Sequence, residues 1–217
     1  SKPLNMMNEN FNSSIALVEA CKNTRVKKFI FASTAAVYGD PSYLPVDENH
    51  KVEPISVYGL SKLLFEEYLE YFNKQSKISV IILRLPNVYG ARQRADLEGG
   101  VVAIFNNLIK KNKTVTIFGN GKQKRDWVYV LDIAEAFKST LSYKSKFDII
   151  AIGSNVGMTV NKLFQLISKK YQYKKKPNMI SSKPGDIKNM IMGYDYAAKK
   201  LKWKPKIDLC RGIELIN

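Results

Sequence analysis

The 217-residue sequence has little cysteine and histidine and no long hydrophobic run. Cys21 and Cys210 show no metal-binding spacing and are too few for a disulfide framework, so we expect a reducing, cytoplasmic setting. The longest apolar stretches are only as long as a strand, which argues against a membrane span, and we expect no signal peptide at the N-terminus. The one histidine, His50, lies in a polar loop, and we expect no catalytic role for it.

Acidic residues are also scarce relative to basic ones. The chain has 35 Lys and Arg against 19 Asp and Glu, a formal net charge of +16. This excess indicates either an anionic partner or a lysine-rich solvated surface. The lysines are scattered, and no stripe of alternating aromatic and basic residues is present, so we expect no nucleic-acid partner. A nucleotide diphosphate needs only two or three of these charges.

The first half of the sequence predicts alternating helices and strands. Apolar residues recur with a helical period over 4–21, and a continuous apolar run over 27–32 predicts a buried strand. A helix over 58–72, with Ser56 as its N-cap, leads to a β-branched strand over 78–85. Strand, crossover helix and strand together predict an α/β fold with a parallel sheet covered on both faces.

The second half predicts shorter elements. They are a helix ending near Lys113, strands over 115–118, 127–130 and 147–152, and helices over 132–141 and 159–171.

No G-x-G-x-x-G motif occurs anywhere in the sequence. A dinucleotide-binding sheet begins with a strand, a glycine-rich turn and a helix, whereas this sequence begins with a helix that belongs in the middle of such a fold. Two interpretations follow. Either the chain lacks the first half of a Rossmann-type sheet, which we favour, or it is not a dinucleotide enzyme.

The spacing Tyr-x-x-x-Lys suits proton transfer and occurs three times, at Tyr58–Lys62, Tyr171–Lys175 and Tyr196–Lys200. Tyr171 ends a polar helix and Tyr196 lies in a short lysine-rich segment. Tyr58 alone lies between two apolar strands, the first of which ends in the hydroxyl residues Ser33 and Thr34. The first pair is therefore the candidate active site.

The chemistry of this pair follows from its charges. Residues four apart on a helix share one face, so Tyr58 and Lys62 can lean into one cleft. A nearby ammonium favours the phenolate and lowers a tyrosine pKa from about 10 towards neutrality, where general-base catalysis becomes efficient. A hydroxyl of Thr34 or Ser33 can hold the substrate oxygen beside them.

Further blocks of sequence then carry a family resemblance. They are Phe31-Ala32-Ser33-Thr34-Ala35-Ala36-Val37-Tyr38-Gly39, Tyr58-Gly59-Leu60-Ser61-Lys62, Leu83-Arg84-Leu85-Pro86-Asn87-Val88-Tyr89-Gly90, the stretch from Phe118 to Val130, Lys183-Pro184-Gly185-Asp186-Ile187 and Leu201-Lys202-Trp203-Lys204-Pro205. In this order they resemble the extended short-chain dehydrogenase/reductase family, specifically its NAD-dependent sugar-nucleotide epimerases and dehydratases. The match begins about midway through the family's cofactor domain, which accounts for the missing glycine loop.

The resemblance implies roles for individual residues. The implied catalytic residues are Thr34, Tyr58 and Lys62. Contacts with the cofactor NAD are implied for Ser33, Tyr58, Lys62 and Pro86. Contacts with a nucleotide sugar are implied for Thr34, Asn87, Val101, Arg125, Lys183 and Asp186.

Local alternatives remain for several of these residues. Arg125 and Asp126 can instead form a surface ion pair, Asn87 can serve only as a turn residue, and Pro-Gly-Asp at 184–186 is also an ordinary turn. The family usually has arginine where this chain has Lys183, and lysine lacks the bidentate geometry.

The resemblance also implies a domain layout and an assembly. Residues 1–90 would be a partial Rossmann NAD-binding domain, and residues 91–217 a smaller α/β substrate-binding region that returns to the sheet around 126–155. A homodimer would form through the helices over 4–21 and 58–72.

The implied reaction is epimerisation at C4 of a UDP-hexose through a 4-keto intermediate. Related dehydratases carry an acid directly after the threonine, whereas this chain has Ala35 and Ala36, which argues against dehydration. A related reductase or dehydratase, or a non-catalytic nucleotide-sugar-binding module, remains the alternative.

Overall fold

The computed structural model describes residues 3–96, 100–182 and 187–216. Its helices are α1 (Pro3–Met7), α2 (Ser13–Cys21), α3 (Val57–Gln75), α4 (Val101–Lys110), α5 (Val130–Ser142), α6 (Val160–Lys170), α7 (Asp195–Leu201) and α8 (Leu209–Leu215). Its strands are β1 (Lys28–Thr34), β2 (Ser79–Leu85), β3 (Asn87–Tyr89), β4 (Thr116–Phe118), β5 (Lys124–Arg125), β6 (Trp127–Tyr129), β7 (Phe147–Ala151), β8 (Met158–Thr159), β9 (Asn178–Ile180) and β10 (Asn189–Met190). Among the described helices, none has the length and hydropathy that a bilayer crossing requires.

The central sheet is parallel and has the order β1-β2-β7. The middle strand is buried from Val80 to Arg84, because helices cover both faces of the sheet. One face packs on α2 and α3, and the opposite face on α5 and α7. The predicted α/β fold with a Rossmann-type parallel sheet is confirmed.

The crossover helix α3 is well specified by its sequence. The Ser56 hydroxyl accepts a hydrogen bond of 3.0 Å from the Gly59 amide and so caps the N-terminus. Phe65, Leu69 and Phe72 follow at helical spacing and are fully buried against the sheet. The helix extends three residues beyond the predicted end and stops at Gln75, after which the backbone is extended.

The predicted continuous helix over 4–21 differs from the structure, because a π-helical turn at Asn8–Asn12 separates α1 from α2. Side chains compete for the backbone carbonyls there: the Ser14 hydroxyl donates to the Asn10 carbonyl at 2.8 Å, and the Asn10 amide donates to the Met6 carbonyl at 3.2 Å. Such local bonds offer the carbonyls alternative partners and widen the turn.

The rest of the chain forms small sheets around a second core. β3 pairs with β6, β4 pairs with β9, and β5 lies between β10 and β8. The side chains of α4, α6 and α8 pack together beneath them. Two elements that follow residue 90, α5 and β7, belong to the central sheet layer instead. The domain boundary near residue 90 stays a prediction.

Two helix C-termini are closed by lysines from distant segments. The Lys28 ammonium donates to the carbonyls of Thr140, Leu141 and Tyr143 at 2.5, 3.1 and 2.8 Å, at the end of α5. The Lys170 ammonium donates in the same way to carbonyls at the end of α8, including that of Ile213 at 2.9 Å. A cation there satisfies orphan carbonyls and opposes the negative end of the helix dipole.

Candidate active site

Thr34 is the last residue of β1 and caps the 3₁₀ turn that follows it, Ala35–Val37. Its hydroxyl oxygen accepts a hydrogen bond of 3.2 Å from the Ala36 amide. A threonine hydroxyl has one donor hydrogen and two acceptor lone pairs, so this bond leaves the hydrogen available to a ligand oxygen. The backbone thus holds Thr34 in an orientation that suits its predicted role.

Gly59 brings the start of α3 against this turn. A Cβ at Gly59 would lie 2.4 Å from the Ala36 carbonyl oxygen, a separation that no side chain tolerates. The absence of a side chain therefore lets the helix N-terminus contact the turn that Thr34 caps. Tyr58, which immediately precedes Gly59, lies at this contact with 37% of its surface exposed.

Lys62 completes the group. Its ammonium donates to the Ala32 carbonyl of β1 at 3.1 Å and lies 5.9 Å from the centre of the Tyr58 ring. It also lies 4.7 Å from the centre of the Phe31 ring. Burial lowers the pKa of Lys62, and the Glu66 carboxylate partly opposes that change. The structure therefore brings Thr34, Tyr58 and Lys62 together around the end of β1.

Ser33 is placed differently from Thr34. It is buried, and its hydroxyl donates to the carboxylate of Glu66 on α3. The same carboxylate is paired with Arg84 of β2, whose Nη2 lies 2.6 Å from Oε2 and whose Nε lies 3.1 and 3.2 Å from the two oxygens. Sequence reasoning missed Glu66 and Arg84, although a lone arginine in an apolar strand signals a buried acidic partner.

Pro86 and Asn87 continue from β2 at the same edge of the sheet. Leu85 is in register with Thr34, so these two residues lie just beyond the carboxyl end of β2. Asn87 is exposed, and its side-chain amide and its backbone N–H both donate to the Asp126 carbonyl at 3.1 Å. In open parallel sheets, ligands bind outside the carboxyl ends of the strands.

Asp126 links this edge to the small sheets. It is fully buried, and its carboxylate accepts from the Ser154 hydroxyl at 2.5 Å, the Ser154 amide at 2.9 Å and the Met192 amide at 3.1 Å. Burial raises its pKa to about 6, against the opposing effect of these bonds. The alternative of a surface ion pair between Arg125 and Asp126 is wrong, because the Asp126 carboxylate points into the interior.

Arg125 precedes Asp126 in the sequence and lies on β5, which pairs with β10 on one side and β8 on the other. Its guanidinium donates to the carbonyls of Lys124 at 3.0 Å and Lys188 at 3.4 Å. Val101, the first residue of α4, is half-buried. Lys183 and Asp186 lie outside the described residues. The ligand contacts predicted for Arg125, Val101, Lys183 and Asp186 stay predictions.

The two other Tyr-x-x-x-Lys pairs have different surroundings. The Tyr196 hydroxyl donates to the Asp148 carboxylate, with both oxygens at 3.2 Å. Tyr171 lies at the end of α6, and the Lys175 ammonium donates to the Asn112 carbonyl at 2.7 Å. Neither pair lies at the carboxyl end of a strand of the central sheet.

Known proteins share this sequence and fold. The chain is 39% identical over 208 residues to a putative UDP-glucose 4-epimerase of Methanocaldococcus jannaschii, a match that covers 95% of this chain and 67% of that protein. It is 32% identical over 206 residues to dTDP-4-dehydro-6-deoxyglucose reductase of Escherichia coli, covering 95% of this chain and 65% of the reductase.

Solved structures agree with these relatives. UDP-glucose 4-epimerase of Thermotoga maritima, crystallised with UDP-glucose, superposes with a TM-score of 0.95 at 37% identity, covering 99% of this chain and 70% of that one. The chain thus spans about two thirds of the length of each of these three proteins. The family model for the NAD dependent epimerase/dehydratase family matches residues 1–153. The chain therefore belongs to the NAD-dependent epimerase/dehydratase family.

Proposed function

We propose that this chain carries the catalytic tyrosine and the substrate-binding part of an NAD-dependent epimerase that acts at C4 of a UDP-hexose. The observation that supports the proposal is the meeting of Tyr58, Lys62 and Thr34 around the end of β1. A phenol, an ammonium and a hydroxyl in one cleft can remove a proton from a sugar hydroxyl and later return it.

Each of these side chains has a distinct part in the proposed reaction. The phenolate of Tyr58 takes the proton of the 4-hydroxyl, and the Lys62 ammonium stabilises that phenolate electrostatically. The Thr34 hydroxyl donates to the same sugar oxygen and keeps it in place. The 4-keto sugar then turns over in the pocket, and Tyr58 returns the proton when the keto group is reduced from its other face.

The residues at the sheet edge fit the nicotinamide end of NAD. The Lys62 ammonium reaches the end of β1, and Pro86 lies at the end of β2, so both can contact a ligand that crosses these strand ends. Because the Ser33 hydroxyl is bonded to Glu66, any contact of Ser33 with the cofactor would come from its main chain. Bound there, NAD would supply the hydride acceptor for oxidation at C4 and the hydride donor for the return reduction.

The nucleotide diphosphate would lie farther along the same edge. Arg125 offers a guanidinium fork that suits a diphosphate, and Asn87 offers an exposed amide held by the Asp126 carbonyl. We assign Val101, Lys183 and Asp186 to the same ligand on the resemblance alone.

Two sibling functions compete with this proposal. The 32% identity to the E. coli reductase favours a reductase as the alternative reaction. Dehydration is disfavoured, because the positions after Thr34 are Ala35 and Ala36 and supply no acid to a leaving hydroxyl. A non-catalytic nucleotide-sugar-binding module is the alternative outside enzymology.

Turnover of UDP-glucose, UDP-galactose and their N-acetyl forms by the full-length gene product tests the proposal, with Tyr58→Phe and Tyr171→Phe as matched variants. We expect interconversion at C4 that is lost only in Tyr58→Phe. Absence of interconversion despite NAD binding would favour a sibling reaction, and absence of NAD binding as well would favour the binding module. For the 217-residue chain alone we expect little NAD affinity, since it has no G-x-G-x-x-G motif.

We propose in addition that the protein is cytoplasmic and dimerises through α1, α2 and α3. These helices expose apolar side chains, namely Leu4, Leu17, Leu60 and Tyr71. Exposed apolar surface of this kind is typical of an interface. Sedimentation analysis of the full-length product with Leu17→Glu and Leu60→Glu tests the dimer, and we expect the double variant to sediment as a monomer.

A further inference from the structure

A buried charged cluster lies behind the candidate active site, between α3 and the central sheet. Its members are Glu66, Arg84 and Ser33, exposed by 2%, 5% and 4%. The proposed reaction assigns no role to the first two. Two charges are seldom placed in an interior, because removing them from water costs more than most pairings recover, so this pair calls for an explanation.

The geometry of the cluster shows what Glu66 connects. Its carboxylate accepts from Ser33 of β1 and, through two guanidinium nitrogens, from Arg84 of β2. The guanidinium carbon of Arg84 lies 5.0 Å from the centre of the Tyr38 ring, which closes the other side of the cluster. One side chain of α3 is thus bonded to both of the strands whose ends form the site.

Glu66 also lies on the functional face of its helix. Tyr58, Lys62 and Glu66 are spaced four residues apart, so they follow one another along one side of α3. Fixing Glu66 against β1 and β2 fixes the rotation of the helix, and with it the direction in which Tyr58 and Lys62 point.

The charge of Glu66 acts on Lys62 as well. Burial lowers the pKa of Lys62, and Glu66 is the charged group within the described part of the chain that opposes it. Three other charged or titratable groups pack around the cluster, namely Arg84 from β2, Tyr38 just after the 3₁₀ turn and Glu48 from the loop beyond it. They act on one another, and Arg84 and Tyr38 also interact with Glu66. The negative charge that Lys62 interacts with is therefore that of Glu66.

We propose that Glu66 is a positioning residue for the candidate active site: its carboxylate locks α3 to β1 and β2, and its negative charge, one helical turn from Lys62 on the same face of α3, favours the ammonium form of Lys62 beside Tyr58. The proposal rests on the proposed function in so far as Tyr58 and Lys62 are the reacting pair. Its electrostatic part, that Glu66 favours the ammonium form of Lys62, can be measured without any turnover.

The experiment is an NMR titration of the protein with carbon-13-labelled lysine side chains, in which Lys62→Arg identifies the Lys62 signal. Glu66→Gln is compared with Glu67→Gln, its exposed neighbour on the same helix. We expect Lys62 to titrate at lower pH in Glu66→Gln than in the unmodified protein, and to be unchanged in Glu67→Gln. Identical Lys62 titration in all three proteins would overturn the proposal.

A second variant covers the case in which Glu66→Gln does not fold. Replacing both Glu66 and Arg84 by methionine substitutes an apolar pair of similar size for the ion pair, a change that buried pairs often tolerate. Lys62 loses its attraction to Glu66 there too, so we again expect a downward shift, smaller than in Glu66→Gln because the positive charge of Arg84 is removed as well. Unchanged titration of Lys62 in this folded double variant would equally overturn the proposal.

Failure of this inference and failure of the proposed function give different results. A Lys62 titration that shifts on removal of Glu66, in a full-length protein that converts no nucleotide sugar, would refute the epimerase function and support the proposed role of Glu66. Active protein whose Lys62 titrates normally without Glu66 would support the epimerase and refute the role of Glu66.

Discussion

The pairs Tyr58–Lys62 and Tyr196–Lys200 have the same spacing on a helix and nearly the same internal geometry. Their ammonium groups lie 5.9 and 5.2 Å from the centres of the tyrosine rings. The surroundings differ. The Lys62 ammonium is bonded to the end of β1, whereas the Tyr196 hydroxyl is bonded to the carboxylate of Asp148.

This difference decides the chemistry. Burial and the Asp148 carboxylate raise the pKa of Tyr196, so that phenol holds its proton and cannot serve as a base near neutral pH. The Tyr58 pair lies beside the turn that Thr34 caps, at the strand ends where ligands bind in parallel sheets. The Tyr-x-x-x-Lys spacing brings the phenol and the ammonium together, and the charged groups nearby determine whether that phenol can act as a base.

Removing each phenol gives the largest contrast between the two pairs. In the full-length gene product we expect Tyr58→Phe to lower kcat for UDP-hexose epimerisation by about 10²–10⁴-fold, the usual contribution of a general base. Tyr196→Phe should change kcat by less than about twofold, because its phenol is committed to Asp148. Steady-state kinetics of both variants measure this, and similar losses would show that the two pairs are not functionally distinct.

Removing the acidic partner near each pair gives the next contrast. Glu66→Ala leaves Arg84 buried without its partner, and we expect a loss of about 3–5 kcal/mol in the free energy of unfolding. Asp148 is half-buried, so Asp148→Ala should cost only about 1 kcal/mol through its lost hydrogen bonds. Guanidinium chloride denaturation gives both values, and equal losses would contradict the burial of the Glu66–Arg84 pair.

Asp148, the acidic partner of Tyr196, also affects how the stability of the protein depends on pH, because it accepts a second hydrogen bond from Tyr143. Burial and a 2.5 Å hydrogen bond to Asp148 raise the pKa of Tyr143 to about 12. A phenol with a raised pKa in the folded state contributes stability that is present below pH about 10 and lost as the pH rises towards about 12. We expect Asp148→Asn to lower the pKa of Tyr143. In a pH titration followed by phenolate absorbance, this tyrosine would then ionise at a lower pH than in the unmodified protein.

The smallest expected effect is at Lys200. Its side chain is exposed, so Lys200→Met should change the free energy of unfolding by no more than about 0.5 kcal/mol. It should also leave turnover unchanged, whereas Lys62→Met should lower kcat. Thermal unfolding and turnover of the two variants test this, and a loss of turnover in Lys200→Met would give the second pair a function.

The sequence predicts the regular elements well where one physical signal dominates. The strand predicted over 78–85 is Ser79–Leu85, because a continuous β-branched run fits only a strand buried on both faces. The π-helical turn at Asn8–Asn12 could not be predicted, since it depends on which carbonyls the serine and asparagine side chains choose.

The candidate site, like the fold, is predictable where the signals are local in the sequence. Thr34, Tyr58 and Lys62 could be linked because helix spacing and strand ends are local properties. Glu66 could not, since an acidic residue in a helix ordinarily faces solvent and only the position of Arg84 on the neighbouring strand makes it an interior group. Asp126 was also out of reach, because two of its partners are backbone amides, which any sequence supplies.

The lysines that close α5 and α8 change the meaning of the large positive charge. The ammonium groups of Lys28 and Lys170 donate hydrogen bonds to the carbonyls at two helix ends. Part of the +16 net charge therefore stabilises the fold and does not serve to bind anionic ligands. Acetylation of the chain would therefore fray these helix ends as well as neutralise the surface. Guanidination, which keeps the charge and the donors, would leave the ends closed.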